Sequence, residues 1–73
     1  MVDINKLRSK MALRGYKQNS LVKEMNARGF KISENTFSAK MTGRAKWDTS
    51  DADIICDILG IEDQAEKADI FLA

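Results

Sequence analysis

The stretch Ser33-Glu34-Asn35-Thr36-Phe37-Ser38-Ala39-Lys40-Met41-Thr42-Gly43 decides how the chain is read. Ser33 is a preferred N-cap, Glu34 places a negative charge on the first turn where the helix dipole favours it, and Gly43 can take the left-handed conformation that stops a helix. Ile32 and Phe37 have the spacing of a hydrophobic staple. Phe37 and Met41, four residues apart, are the large apolar side chains of the segment and predict one narrow buried stripe. The opposite side is small or polar. At 100° per residue, Asn35 and Ala39 point away from the stripe, flanked by Thr42, Ser38 and Thr36. Such a face suits close approach to base edges.

Outward from this segment, apolar residues recur at helical spacing. Asp3 to Arg14 reads as a helix with Ile4, Leu7 and Met11 on one side, ended by Gly15, after which Tyr16 packs its ring under the domain. A second helix is expected from about Gln18 to Arg28, with Leu21, Val22 and Met25 inward, Lys23, Glu24 and Asn26 outward, and Gly29 as its stop. Phe30 and Ile32 are expected to be core pieces of the connection. Beyond Gly43, Arg44-Ala45-Lys46-Trp47 forms a basic loop with Trp47 as a core plug. Asp48, with Asp51 three positions on, then opens a further helix in the manner of a capping box. Ala52, Ile55, Ile58 and Leu59 form its inward face, Asp51, Asp53 and Asp57 are expected to point to water, and Gly60 ends it. A polar helical turn from Glu62 to Asp69 and the apolar end Ile70-Phe71-Leu72-Ala73 complete an all-α domain of four to five helices spanning residues 1–73, and Ile70 to Leu72 either close the core over the first helix or form a dimer surface.

Seventy-three residues leave little room for a deep pocket. With no His, one Cys, no Gly-rich phosphate loop and no metal-ligand spacing, catalysis, a cofactor and a small-molecule substrate are not expected. Cys56 lies in an apolar helical run, where an inert packed thiol is the expectation, and this usage fits a reducing cytoplasm. Neither a membrane span nor a secretory signal is expected. The net charge of +1 conceals a division. Residues 1–47 hold eleven cations against three carboxylates, a net +8, and residues 48–73 hold one cation against eight carboxylates, a net −7. A domain of that kind orients in the field of a polyanion, with its early helices toward it.

Leu7 and Met11, Gly15-Tyr16, Gln18, Leu21, Met25, Ile32-Ser33, Thr36-Phe37-Ser38, Met41, Gly43, Ile55 and Ile58-Leu59-Gly60-Ile61 together resemble the phage repressor and Cro-type helix-turn-helix family. The likeness is particularly to short phage-encoded regulators of Gram-positive bacteria. It implies a lambda-repressor-like fold in the cytoplasm of a bacterial host. It further implies a double-stranded DNA operator as partner and a homodimer at least on DNA. Ser33, Glu34, Asn35, Ser38 and Ala39 would read bases, and Asn35 has the amide that bonds an adenine edge. Gln18, Arg28, Lys31, Lys40, Thr42, Arg44 and Lys46 would contact phosphates. Two departures stand out. Asn26 to Lys31 lengthens the connection between the two motif helices, which is expected to extend the second helix by about a turn, and Lys17 replaces the usual Ser or Thr cap, which leaves Asn19 as an alternative start to Gln18. The acidic second half favours an alternative, an antirepressor-like protein-interaction module that keeps the fold without reading DNA.

Overall fold

In the computed structural model, which describes residues 2–72, five helices follow one another: α1 (Ile4–Leu13), α2 (Gln18–Ala27), α3 (Glu34–Met41), α4 (Thr49–Leu59) and α5 (Gln64–Phe71). No strand occurs among the described residues. Helix starts follow side-chain oxygens. Asp3 accepts from Lys6 N (3.1 Å), Ser33 from Thr36 N (3.1 Å) and Asp63 from Ala65 N (2.9 Å). Asp48 and Asp51 form the expected reciprocal box, Asp51 N donating to Asp48 Oδ1 (2.9 Å) and Asp48 N to Asp51 Oδ2 (3.0 Å).

One helix start is decided between two expectations and one differs. α2 starts at Gln18 although Lys17 brings no cap oxygen, because the Ser20 hydroxyl accepts from Lys17 N (2.8 Å) and donates to Lys17 O (3.1 Å). α5 starts at Gln64, two residues later than Glu62, and runs on through Ile70 and Phe71 because those side chains find core to bury in.

The core joins Leu7 and Met11 of α1, Leu21, Val22 and Met25 of α2, Phe37 and Met41 of α3, Ile55, Cys56, Ile58 and Leu59 of α4, Ile61, and Ile70 and Phe71 of α5. α2 is the central element, packed on both α3 and α4, while α5 closes over α1. That closure is tied by Asp3 N donating to Ile70 O (2.6 Å) and by the ion pairs Lys6–Asp69 (2.7 Å) and Lys10–Glu66 (2.6 Å). The apolar end therefore divides: Ile70 and Phe71 seal the core, and Leu72 is 77% exposed. Ala73 lies outside the described residues. Tyr16, Phe30 and Ile32 are half-buried against the core, as is Trp47, whose ring meets Phe37 edge-on (centroids 5.7 Å apart, 88°) and Phe71 likewise (6.4 Å, 71°). Trp47 thus plugs the seam between α3 and α5.

Candidate nucleic-acid interface

α3 is held by one face, as its sequence requires. Phe37 and Met41 are buried, and Glu34, Asn35 and Thr36 are exposed. Across from the stripe, Glu34, Asn35 and Ser38 share a shallow groove with Lys17, Gln18 and Asn19 from the start of α2. Ala39, half-buried, follows Asn35 by one turn. The groove thus brings Gln18 to three of the five expected base-reading residues. Lys17 and Asn19, read from the sequence only in terms of the helix start, join this groove, and their position beside Gln18 is the available signal.

Ser33 and Thr42 spend their hydroxyls within α3. Ser33 Oγ donates to Thr36 Oγ1 (2.9 Å) besides capping Thr36 N. Thr42 Oγ1 donates back to Ser38 O (3.0 Å) and accepts from Arg44 Nε (3.1 Å). Gly43 follows at φ 82, a backbone conformation in which a side chain would be strained, and turns the chain so that Arg44 N and Ala45 N both donate to Ala39 O (2.8 and 3.1 Å). Arg44 is thereby fixed at the C-terminal end of α3, with its terminal guanidinium nitrogens outside that bond. Lys31 is exposed in the connection that enters α3, and Lys46 is exposed in the loop that leaves it. Among the described residues Lys17, Lys31, Arg44 and Lys46 form no ion pair. Free cations therefore stand at both ends of the groove-facing helix.

Two sequence expectations, Asp51 in water and Asn26 outward, are corrected here, and two residues expected at phosphates, Lys40 and Arg28, stand in internal ion pairs. Lys40, expected at a phosphate, directs its ammonium to the Asp51 carboxylate, and its side chain is only 12% exposed. The reason is angular: five residues from Asn35, Lys40 sits about 140° around the helix from it, beside the apolar stripe. Asp51, expected in water, is fully buried, since Oδ2 accepts from both Lys40 Nζ and Asp48 N, while Oδ1 has no partner. Removing one member of a buried pair strands the other charge, at a cost of about 3–5 kcal/mol. Arg28, also expected at a phosphate, faces the other way, bonded to Glu24 (3.1 Å) and Asp57 (2.8 Å) of α4. The hydrogen bond that Arg28 Nε donates to Glu24 is the largest cause of a guanidinium pKa pushed up from its ordinary value.

Asn26, expected outward, turns inward and organises the long connection. Its Nδ2 donates to Val22 O (2.9 Å) and Ile32 O (2.7 Å), and its Oδ1 accepts from Ile32 N (3.3 Å). The inserted residues accordingly divide: Asn26 and Ala27 finish α2, Arg28 caps it, Gly29 turns at φ 91, and Phe30 to Ser33 lead into α3. A side-chain amide at this point satisfies the backbone N–H and C=O of Ile32, which no helix reaches.

Elsewhere the surface offers different chemistry. A groove between α4 and α5 is lined by Ser50, Asp53, Asp57, Glu62 and Lys67 and carries the acidic half of the charge division. Cys56 is buried at its floor, and burial pushes its thiol pKa up, away from reactivity. No cluster of three metal-ligating side chains occurs among the described residues, and none of their helices is long and apolar enough to cross a membrane.

Comparison with known families adds one finding: a model described as the Cro/C1-type HTH DNA-binding domain matches residues 6–62. Neither the curated proteins nor the solved structures gave a match.

Proposed function

The chain belongs to the Cro/C1-type helix-turn-helix DNA-binding family, and from that premise we propose that it is a phage or prophage regulator that occupies an operator by inserting α3 into the major groove. Family membership supports DNA binding and regulation. The observation that carries the finer reading is the groove in which Asn35, Ser38 and Glu34 of α3 meet Lys17, Gln18 and Asn19 of α2, with unpaired cations at both ends of α3. In this arrangement Asn35 bonds a base edge, and Ser38 and Ala39 allow close approach. Glu34 accepts from a cytosine amino group or serves the helix start, and Ser33 sits at the groove edge as its cap. Gln18, Lys17, Lys31, Arg44 and Lys46 anchor phosphates, and Thr42 holds Arg44 in place. The acidic α4–α5 side faces away from the polyanion.

A helix of eight residues reads few bases, so useful affinity calls for a homodimer on paired half-sites, acting in the bacterial cytoplasm. No cofactor or catalytic step enters this mechanism. Selection from a randomised duplex library tests it. An enriched two-fold site is expected, and Asn35→Ala should relax choice at one position per half-site, a loss of about 1–3 kcal/mol of discrimination. Absence of enrichment at any salt concentration would remove the operator function and favour the protein-interaction module that the acidic side suggests.

A further inference from the structure

The Lys40–Asp51 pair is the one buried ionic contact among the described residues, and it joins the helix proposed to read DNA to the helix behind it. α2 packs on both α3 and α4, and residues 42–48 connect those two by an irregular loop. Within α3, Phe37 and Met41 are the buried apolar anchors. They lie only about 40° apart around the helix, so they hold its position better than its roll about its own axis. Lys40 lies about 60° to the other side of Phe37 and about 100° from Met41. Its carboxylate partner is immobilised twice, by complete burial and by the bond from Asp48 N (3.0 Å) at the N-cap of α4.

We propose that Lys40 and Asp51 act as a strut that sets the roll of α3, making both of them positioning residues for sequence discrimination although neither touches DNA. The lever is large enough to matter. For a helix about 10–12 Å across, a roll of about 20° carries its outer surface through about 2 Å. Hydrogen bonds to a base edge are confined to a donor–acceptor range of about 0.5 Å. Asn35, about 140° around the helix from Lys40, would therefore lose bidentate registry while phosphate contacts by flexible lysines persist. The inference rests on the operator function proposed above, and its test separates the two.

The double variant Lys40→Met/Asp51→Asn removes both charges, leaves no charge stranded, and retains an oxygen for Asp48 N; Lys40→Arg keeps a cation against Asp51 but changes its reach. Each is compared with the wild-type chain by circular dichroism, by amide residual dipolar couplings in the free protein, and by affinity for selected and scrambled duplexes over a salt series. The expected result is a folded double variant whose α3 couplings change relative to α4. Its preference for the selected duplex should fall about tenfold or more, with an unchanged salt slope on scrambled duplex. Lys40→Arg should show the same pattern at a smaller amplitude, and it carries the decision if the double variant does not fold. Wild-type couplings in the folded variants, undiminished preference, or a salt slope lowered as if a phosphate contact had gone would each overturn the strut. If the wild-type chain itself selects no duplex, the operator function fails, and the couplings still decide whether the pair sets the roll of α3.

Discussion

Replacing Arg44 and Arg28 in turn by Gln should separate a phosphate-contacting cation from one spent inside the protein. Both are exposed arginines near the ends of motif helices, but Arg28 is bonded to two carboxylates, Glu24 and Asp57, whereas Arg44 has no acidic partner. Counting only cations without an ion pair around α3 gives Lys17, Lys31, Arg44 and Lys46, four per domain. Each neutralised phosphate contributes about 0.9 to the slope of log K against log salt, which gives about −3.6 per domain and about −7 for a pair of domains on one operator. Arg44→Gln should therefore reduce the magnitude of the pair's slope by about 1.8. Between 50 and 200 mM salt, wild-type affinity should fall by roughly four decades and that of the variant by roughly three. Arg28→Gln should leave the slope unchanged. Fluorescence anisotropy of a labelled duplex titrated across a KCl series measures both. An Arg28→Gln slope reduced as much as that of Arg44→Gln, or an unaltered slope for Arg44→Gln, would refute the assignment of cations by their internal partners.

Three further outcomes follow from the packing. Removal of residues 70–73 should unfold the domain rather than dissociate a dimer. Ile70 and Phe71 are buried, each contributes about 1.5–3 kcal/mol, and a chain of this size has only about 4–11 kcal/mol in total; sedimentation of a folded monomer after truncation would contradict this. Cys56 should resist alkylation in the native protein and react on addition of denaturant, since its thiol is buried and its pKa is raised by desolvation; rapid native labelling, followed by mass spectrometry, would show the site to be open. Asp48 has a folded-state pKa lowered chiefly by the bond from Asp51 N. Its stabilisation is accordingly full above the ordinary carboxylate range and is lost as pH falls through the depressed folded value. Melting temperatures of wild type and Asp48→Ala should differ most near neutral pH and converge in strong acid, and a gap that widens on acidification would reverse the assignment.

Local chemistry and periodicity determined most of the fold. The caps Asp3, Ser33 and Asp48, the stop at Gly43 and the stripe Phe37–Met41 act within a turn or two of where they stand, so their consequences were legible from spacing alone. The exposed reading side of α3 followed for the same reason. Lys40, Arg28, Asp51 and Asn26 were not legible in that way. Each has a long or polar side chain whose direction depends on what the neighbouring helix brings within reach: Asp51 eleven residues from Lys40, Asp57 twenty-nine from Arg28, Ile32 across the connection from Asn26. Charge by itself therefore did not tell paired cations from unpaired ones. The sequence determined an all-α domain of four to five helices and which face of α3 is exposed, because helical period and capping are short-range. Only the tertiary structure decided which cations are held in internal ion pairs, because burial of a carboxylate such as Asp51 demands a partner from whichever element packs beside it.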